Sequence, residues 1–202
     1  IFAIVLLLML LLLSAVLSAQ TANKNASANT KKIFLYLQNL SKSNAKRVIS
    51  GHMINSALLP KPSFDSSAQK IFNKTGKWVG ILGIDYQRNP IGLPSNIDEC
   101  NQVAIDYFGK GGLIAIMSSF SNPWNAAGNS NDTTNRSRLL EIITPGNSAY
   151  QKFHAQLDSV AKGLLQLQES GVTVFYRLFH EHNAPWFWWG SSSLTRPTKK
   201  EW

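Results

Sequence analysis

Cysteine is almost missing: Cys100 stands alone among 202 residues, so no disulfide can close within the chain. Its place on an apolar helix stripe predicts a buried thiol, the alternative being a partner outside this chain. Blocks of like charge are missing too. Twenty Lys and Arg against 11 Asp and Glu give a net charge of +9, yet no basic run exceeds Lys31-Lys32 or Lys199-Lys200. Scattered charge of this kind predicts a soluble basic surface and no nucleic-acid partner. No glycine-rich phosphate loop follows the first expected strand, which counts against nucleotide binding. There is no His-Glu-x-x-His, and neighbours such as His180, Glu181 and His182 point to opposite faces of a strand, so no metal and no cofactor are expected.

What is present begins with an unbroken apolar run, Ile1 to Leu13, followed by small residues through Ala19 in the pattern of a signal-peptidase site. The expectation is a signal peptide over residues 1–19, cleavage after Ala19 and a secreted, extracellular protein with no membrane contact once processed. A membrane anchor is the rival reading, but the run is near the short limit for a span. The first residue is Ile and no basic segment precedes the run, so the sequence is expected to start inside its own signal peptide. Residues 20–30 are polar and aperiodic and read as a linker. Secretion would make the Asn-x-Ser/Thr triplets at Asn25, Asn39, Asn73, Asn131 and Asn135 possible glycan sites.

From residue 31 the periodicity changes. Ile33, Leu37 and Leu40 recur at helical spacing. Four strand–helix units then follow, with strands expected at Arg47–His52, Trp78–Tyr86, Leu113–Phe120 and Val172–Phe179. Between them lie a helix capped by Asp65-Ser66-Ser67, one opened by Ser95-Asn96 with Ile97, Cys100, Val103, Ala104, Tyr107 and Phe108 on one face, and one opened after Pro145-Gly146 with Phe153, Leu157, Val160, Ala161, Leu164 and Leu167. A long polar loop, 125–147, reads as a functional loop or an insertion. The repeat of roughly 32 residues is what a right-handed βαβ crossover needs. Each strand ends in a polar or aromatic group: His52, Asp85 and Tyr86, Asn122 and Trp124, His180 and Glu181. That distribution predicts an α/β fold, a (β/α)8 TIM barrel of which residues 31–202 supply roughly the first four units; a doubly wound open sheet is the alternative. Half a barrel would leave two sheet edges unpaired, so both ends of the sequence are expected to continue.

The fourth unit carries the chemistry. Val172–Phe179 reads as a strand buried on both faces, with His180 and Glu181 at its exit, where α/β folds bind ligands. Trp186, Phe187, Trp188 and Trp189 follow, more aromatic surface than an ordinary loop needs unless a flat, partly apolar partner such as a sugar ring packs on it.

Arg177-Leu178-Phe179-His180-Glu181-His182-Asn183 with Trp186-Phe187-Trp188-Trp189-Gly190 resembles the fourth-strand motif of glycoside hydrolase family 26, which contains secreted endo-β-1,4-mannanases. Thr144-Pro145-Gly146, Gly171-Val172-Thr173-Val174, Gly83-Ile84-Asp85-Tyr86 and Ile49-Ser50-Gly51 extend the resemblance over most of residues 46–190. The resemblance implies a retaining endo-glycosidase acting on β-1,4-mannan or a related β-linked polysaccharide, with two carboxyl groups about 5 to 5.5 Å apart. Glu181 would be the general acid and then base, kept protonated by dry rings such as Trp186. His180 would orient the site. Trp186, Asn183, Trp189, Asp85, Tyr86, Asn122 and Trp124 would bind substrate, Trp188 and Trp189 serving as a platform or as loop packing. The nucleophile, a glutamate ending a seventh strand, is expected beyond Trp202, so the chain alone would be inactive.

Two departures stand out. Leu178 and His182 replace a Pro and a Met of the family motif, and Ser118-Ser119-Phe120-Ser121-Asn122-Pro123 lacks a His that many members carry before Asn-Pro. The second keeps a β-1,3-1,4-glucanase or β-1,3-xylanase of the same family open, and a non-catalytic carbohydrate-binding barrel is the competing class.

Overall fold

A computed structural model describes residues 21–44, 46–54, 60–87 and 96–190. The expected signal peptide and its cleavage site lie outside those residues, as do Ser95 of the expected helix start and residues 191–202. The chain divides into two compact units, Ile1–Arg47 and Val48–Trp202.

In the first unit, α1 (Ala28–Lys42) starts inside the segment expected to be a linker. Ser27 explains the earlier start: its Oγ accepts the Thr30 N–H at 3.1 Å, satisfying one of the free donors of the first turn. Ile33, Leu37 and Leu40 are half-buried, whereas Tyr36 is exposed.

The second unit holds β1 (Gly51–Ile54), β2 (Ile81–Gln87), β3 (Leu113–Ser119) and β4 (Val174–Arg177), all parallel and in the order β1-β2-β3-β4. A doubly wound sheet reverses its strand order at a switch point. The strictly sequential order found here is that of a barrel, and right-handed crossovers then put every connecting helix on the same side. α2 (Pro60–Phe64) passes through a π-helical turn (Asp65–Gln69) into α3 (Lys70–Thr75); α4 (Ile97–Gly109), a 3-10 helix (Arg136–Ile143) and α5 (Ser148–Glu169) follow among the described residues. Asp65 is therefore not a cap. It lies within the helical run and pairs with Lys61, because Pro60 and Pro62 fit a first helical turn, where a missing N–H costs nothing.

Alternation along the strands divides the sheet into two faces. Leu82, Ile84, Ile114 and Ile116 are fully buried under the helices, while their neighbours Leu113, Ala115 and Met117 are only half-buried. The strand bounds follow the same logic. β1 begins at Gly51 instead of Arg47: Val48 is exposed, the Ser50 carbonyl accepts the Gly80 and Ile81 N–H groups, and Ile54 is the buried residue. Trp78 precedes β2 and stacks on Phe72 at 4.2 Å. β4 is shorter than Val172–Phe179 and half-buried, contrary to a strand covered on both faces, because among the described residues it pairs with β3 alone.

Two helices close over the sheet through polar contacts that periodicity does not reveal. Tyr86 O–H donates to Asn101 Oδ1, and Asn101 Nδ2 donates to the Gly163 carbonyl at 2.9 Å and to Gln166 Oε1 at 2.6 Å. A Cβ at Gly163 would stand 2.4 Å from Ile97 Cγ2, so only glycine lets α4 and α5 approach this closely. The inner face of α5 consequently carries Gln156 and Gly163, and Ala161, expected on it, is exposed. Cys100 is buried, as its stripe predicts.

Candidate active site

The exits of β2, β3 and β4 deliver their side chains to one end of the sheet. Asp85, near the end of β2, is buried and accepts a hydrogen bond from Ser119 Oγ at 2.7 Å, which ties two strand ends together. His180, just past β4, is also buried, with its ring 4.9 Å from Phe187 and 5.5 Å from Trp189. Burial holds the His180 imidazole below its ordinary range, and the charge of Arg177 pushes the same way; Asp85 and Glu181 oppose both. The ring is thus held neutral near pH 7. Its Nδ1 makes no hydrogen bond among the described residues.

Glu181 follows with φ at +53°, in the left-handed region that costs a side-chain-bearing residue roughly 1–2 kcal/mol. The turn around it is closed by the Ala184 N–H, 3.0 Å from the Glu181 carbonyl. Its Oε2 accepts the Trp186 indole N–H at 2.8 Å. The indole is where the sequence places it, but Glu181 is exposed and Trp186 is 50% exposed, so the dry surroundings expected for this carboxyl are not supplied by the described residues. A fourth-strand loop can wall one side of such a site; the opposite wall has to come from elsewhere.

Trp188 and Trp189 resolve to packing. Trp189 is 0% exposed and donates its indole N–H to the His180 carbonyl at 2.8 Å; Trp188 donates to the Phe120 carbonyl at 2.9 Å. Neither presents a face to a ligand, which corrects the expectation of Trp189 as a substrate contact. Its work is to hold the backbone beside Glu181. A Cβ at Gly190 would lie 2.0 Å from the Ala184 carbonyl, so the loop closes tightly only with glycine there.

The remaining expected site residues divide. Asn183 is exposed beside Glu181. Asn122 is buried with its polar atoms engaged in its own loop: Nδ2 donates to the Asp132 and Thr134 carbonyls at 2.7 and 2.9 Å, and Oδ1 accepts the N–H groups of Trp124 and Asn125. Trp124 packs edge-on against Trp188 at 5.7 Å and donates to Glu141 Oε2 at 3.1 Å. Arg138 is the first of the neighbours that hold the Glu141 carboxyl below its ordinary range. Tyr86 lies on the helix side of the sheet, bonded to Asn101, and burial pushes its phenol far above the usual range. That geometry corrects its expected role at the strand exits, since consecutive residues Asp85 and Tyr86 face opposite ways. His52, in register with Leu82, also lies on the helix side.

Sequence reasoning missed Ser119, whose partner is remote in the chain, and Gln156, whose side-chain amide accepts from the Ser121 N–H and donates to the Ser121 carbonyl beyond β3. A polar residue on an apolar helix stripe was the available signal for Gln156, as it was for Asn101. Among the described residues no three His, Cys, Asp or Glu side chains converge closely enough to hold a metal ion.

Parallel strands in sequential order, with a His-Glu pair and an indole at the fourth exit, agree with what most of the sequence matches. Residues 22–202 match glycosyl hydrolase family 26, and the chain belongs to that family. It is 34% identical over 195 residues to a mannan endo-1,4-beta-mannosidase of Bacillus subtilis, covering 93% of this chain and 53% of that protein. Against mannan endo-1,4-beta-mannosidase A and B of Caldalkalibacillus mannanilyticus it is 32% identical, covering 88% of this chain and 35% of the relative. The solved structure of a Bacillus subtilis mannanase superposes with a TM-score of 0.73 at 27% identity, over 86% of this chain and 53% of that one. The chain therefore spans about half the length or less of these relatives, and its four-stranded sheet corresponds to about half of their (β/α)8 barrel.

Proposed function

We propose that these residues form the first half of a secreted, retaining endo-glycosidase that cleaves β-1,4-mannan, with Glu181 as its general acid and base. The observation that carries the proposal is the Glu181–Trp186 pair beside buried His180 at the exit of β4. In the first step a carboxylate from the second half of the barrel attacks the anomeric carbon while Glu181 gives its proton to the departing glycosidic oxygen; in the second, water attacks the glycosyl-enzyme ester and Glu181 takes the proton back. Exposed Trp186 offers an apolar face to the sugar at the cleaved bond, and Asn183, exposed beside Glu181, can meet its hydroxyls, while Asp85, buried and bonded to Ser119, braces the strand exits. His180, buried against Phe187 and Trp189 and held neutral, supports the turn that carries Glu181. The relatives described above are mannan endo-1,4-beta-mannosidases, which favours mannan over mixed-linkage glucan and β-1,3-xylan.

The test is Glu181→Ala in the full-length protein. Turnover on unactivated β-mannan falls by about 10²–10⁴-fold with mannan binding retained; unchanged turnover overturns the role of Glu181, and binding without any wild-type hydrolysis supports a carbohydrate-binding barrel. Parallel assays on mixed-linkage glucan and β-1,3-xylan decide the substrate. Secretion is checked by sequencing the N-terminus of protein recovered from the medium, with Gln20 as the expected first residue.

A further inference from the structure

The loop after β3 and the loop after β4 are joined at two points that bracket Trp186. On one side the Arg136 guanidinium donates Nη1–H to the Pro185 carbonyl at 2.8 Å; on the other the Trp188 N–H donates to the Ser130 carbonyl at 3.1 Å. The β3 loop is itself braced, because Asn122 holds the carbonyls of Asp132 and Thr134 just before Arg136. Charge-assisted donors to a carbonyl are the stronger kind of backbone contact. Trp186 needs such a clamp: its ring is half exposed, and its indole N–H is the group that reaches Glu181.

We propose that Arg136 is a positioning residue, which by holding the Pro185 carbonyl sets where the Trp186 indole stands relative to Glu181 and so places the sugar at the cleaved bond. The proposal rests on the roles given to Glu181 and Trp186 above. It makes the long polar loop, whose sequence reads as a functional loop or an insertion, the outer support of the acid-base glutamate. Arg136 does not touch the reacting atoms; its effect passes through Pro185 and Trp186.

The test compares Arg136→Met, Trp186→Phe and the double variant in the full-length protein. Met keeps the aliphatic stem and removes the donor. Arg136→Met lowers kcat/KM on mannan by about 10-fold, the size of effect a small misplacement near the chemistry produces, and the double variant is no slower than Trp186→Phe alone because both act through one indole. Effects that multiply overturn the proposal, as does a kcat/KM unchanged by Arg136→Met. A second readout does not depend on hydrolysis: the Trp186 share of the fluorescence, obtained by subtracting the Trp186→Phe protein, becomes more accessible to acrylamide in Arg136→Met. Unaltered quenching refutes the clamp. Should the wild type fail to hydrolyse mannan while quenching still rises, the functional reading falls and the clamp stands.

Discussion

The two faces of one sheet divide the labour of this molecule. On the helix side Leu82, Ile84, Ile114 and Ile116 are sealed, and the polar groups among them are spent on one another: Tyr86 on Asn101, and Tyr107 O–H on the Val79 carbonyl at 2.5 Å. On the other side Met53 and Arg177 are exposed and Phe175 is half-buried, yet the exit end of that same face holds buried Asp85 with Ser119, and buried His180 lies just beyond it. Polar side chains are thus buried at the exit end of a face that is otherwise open, and that end carries the candidate site. The helix side is built to hold the fold.

Within the loop after β4 the comparison can be broken at two neighbouring tryptophans. Trp189→Ala removes a fully buried indole and its bond to the His180 carbonyl, and should cost about 3–5 kcal/mol in urea unfolding of the full-length protein. Trp186→Ala, at a half-exposed site, should cost under about 1 kcal/mol while lowering mannan turnover. Equal stability losses would erase the distinction between packing and ligand-facing indoles.

The helix side is tested by Asn101→Ala, which leaves the Tyr86 hydroxyl, the Gly163 carbonyl and the Gln166 amide oxygen without their shared partner. A loss of about 1–3 kcal/mol in the same unfolding assay is expected, with kcat on mannan unchanged. A fall in kcat at constant stability would mean that the helix side reaches the site after all.

The smallest effect concerns His180. Its folded form titrates below its ordinary range, so the unfolded chain binds more protons and stability rises with pH. The contribution is complete above the unfolded imidazole value of about 6.5, declines as pH falls through it, and levels off below the lower folded value. His180→Gln should flatten the dependence of the unfolding midpoint between about pH 5 and 7. A slope unaltered by the substitution would assign it to other groups.

Much of this was legible because local patterns are short-ranged. The spacing of Ile114, Ile116 and their neighbours marks β3, the stripe through Cys100, Val103, Ala104 and Tyr107 marks α4, and the motif from Arg177 to Gly190 marks the candidate site. Element bounds were less legible. β1 and β4 are set by which neighbouring strand offers hydrogen bonds, and a π-helical turn let the helical run from Pro60 absorb residues that look like a cap. The split between Trp186, outward on Glu181, and Trp189, inward on His180, is invisible in a run of aromatic letters because it depends on how the loop closes.

Composition, periodicity and one motif sufficed for the sequence to determine the succession of strand–helix units and the position of a carboxyl group at the fourth strand's exit. Each of those depends on residues close together in the chain. Only the tertiary structure decided that Ser119 meets Asp85, that Asn101 joins Tyr86 to α5, and that Arg136 reaches Pro185. Those contacts join residues 15 to 65 positions apart, where no local spacing rule operates and the packing of whole elements selects the partner.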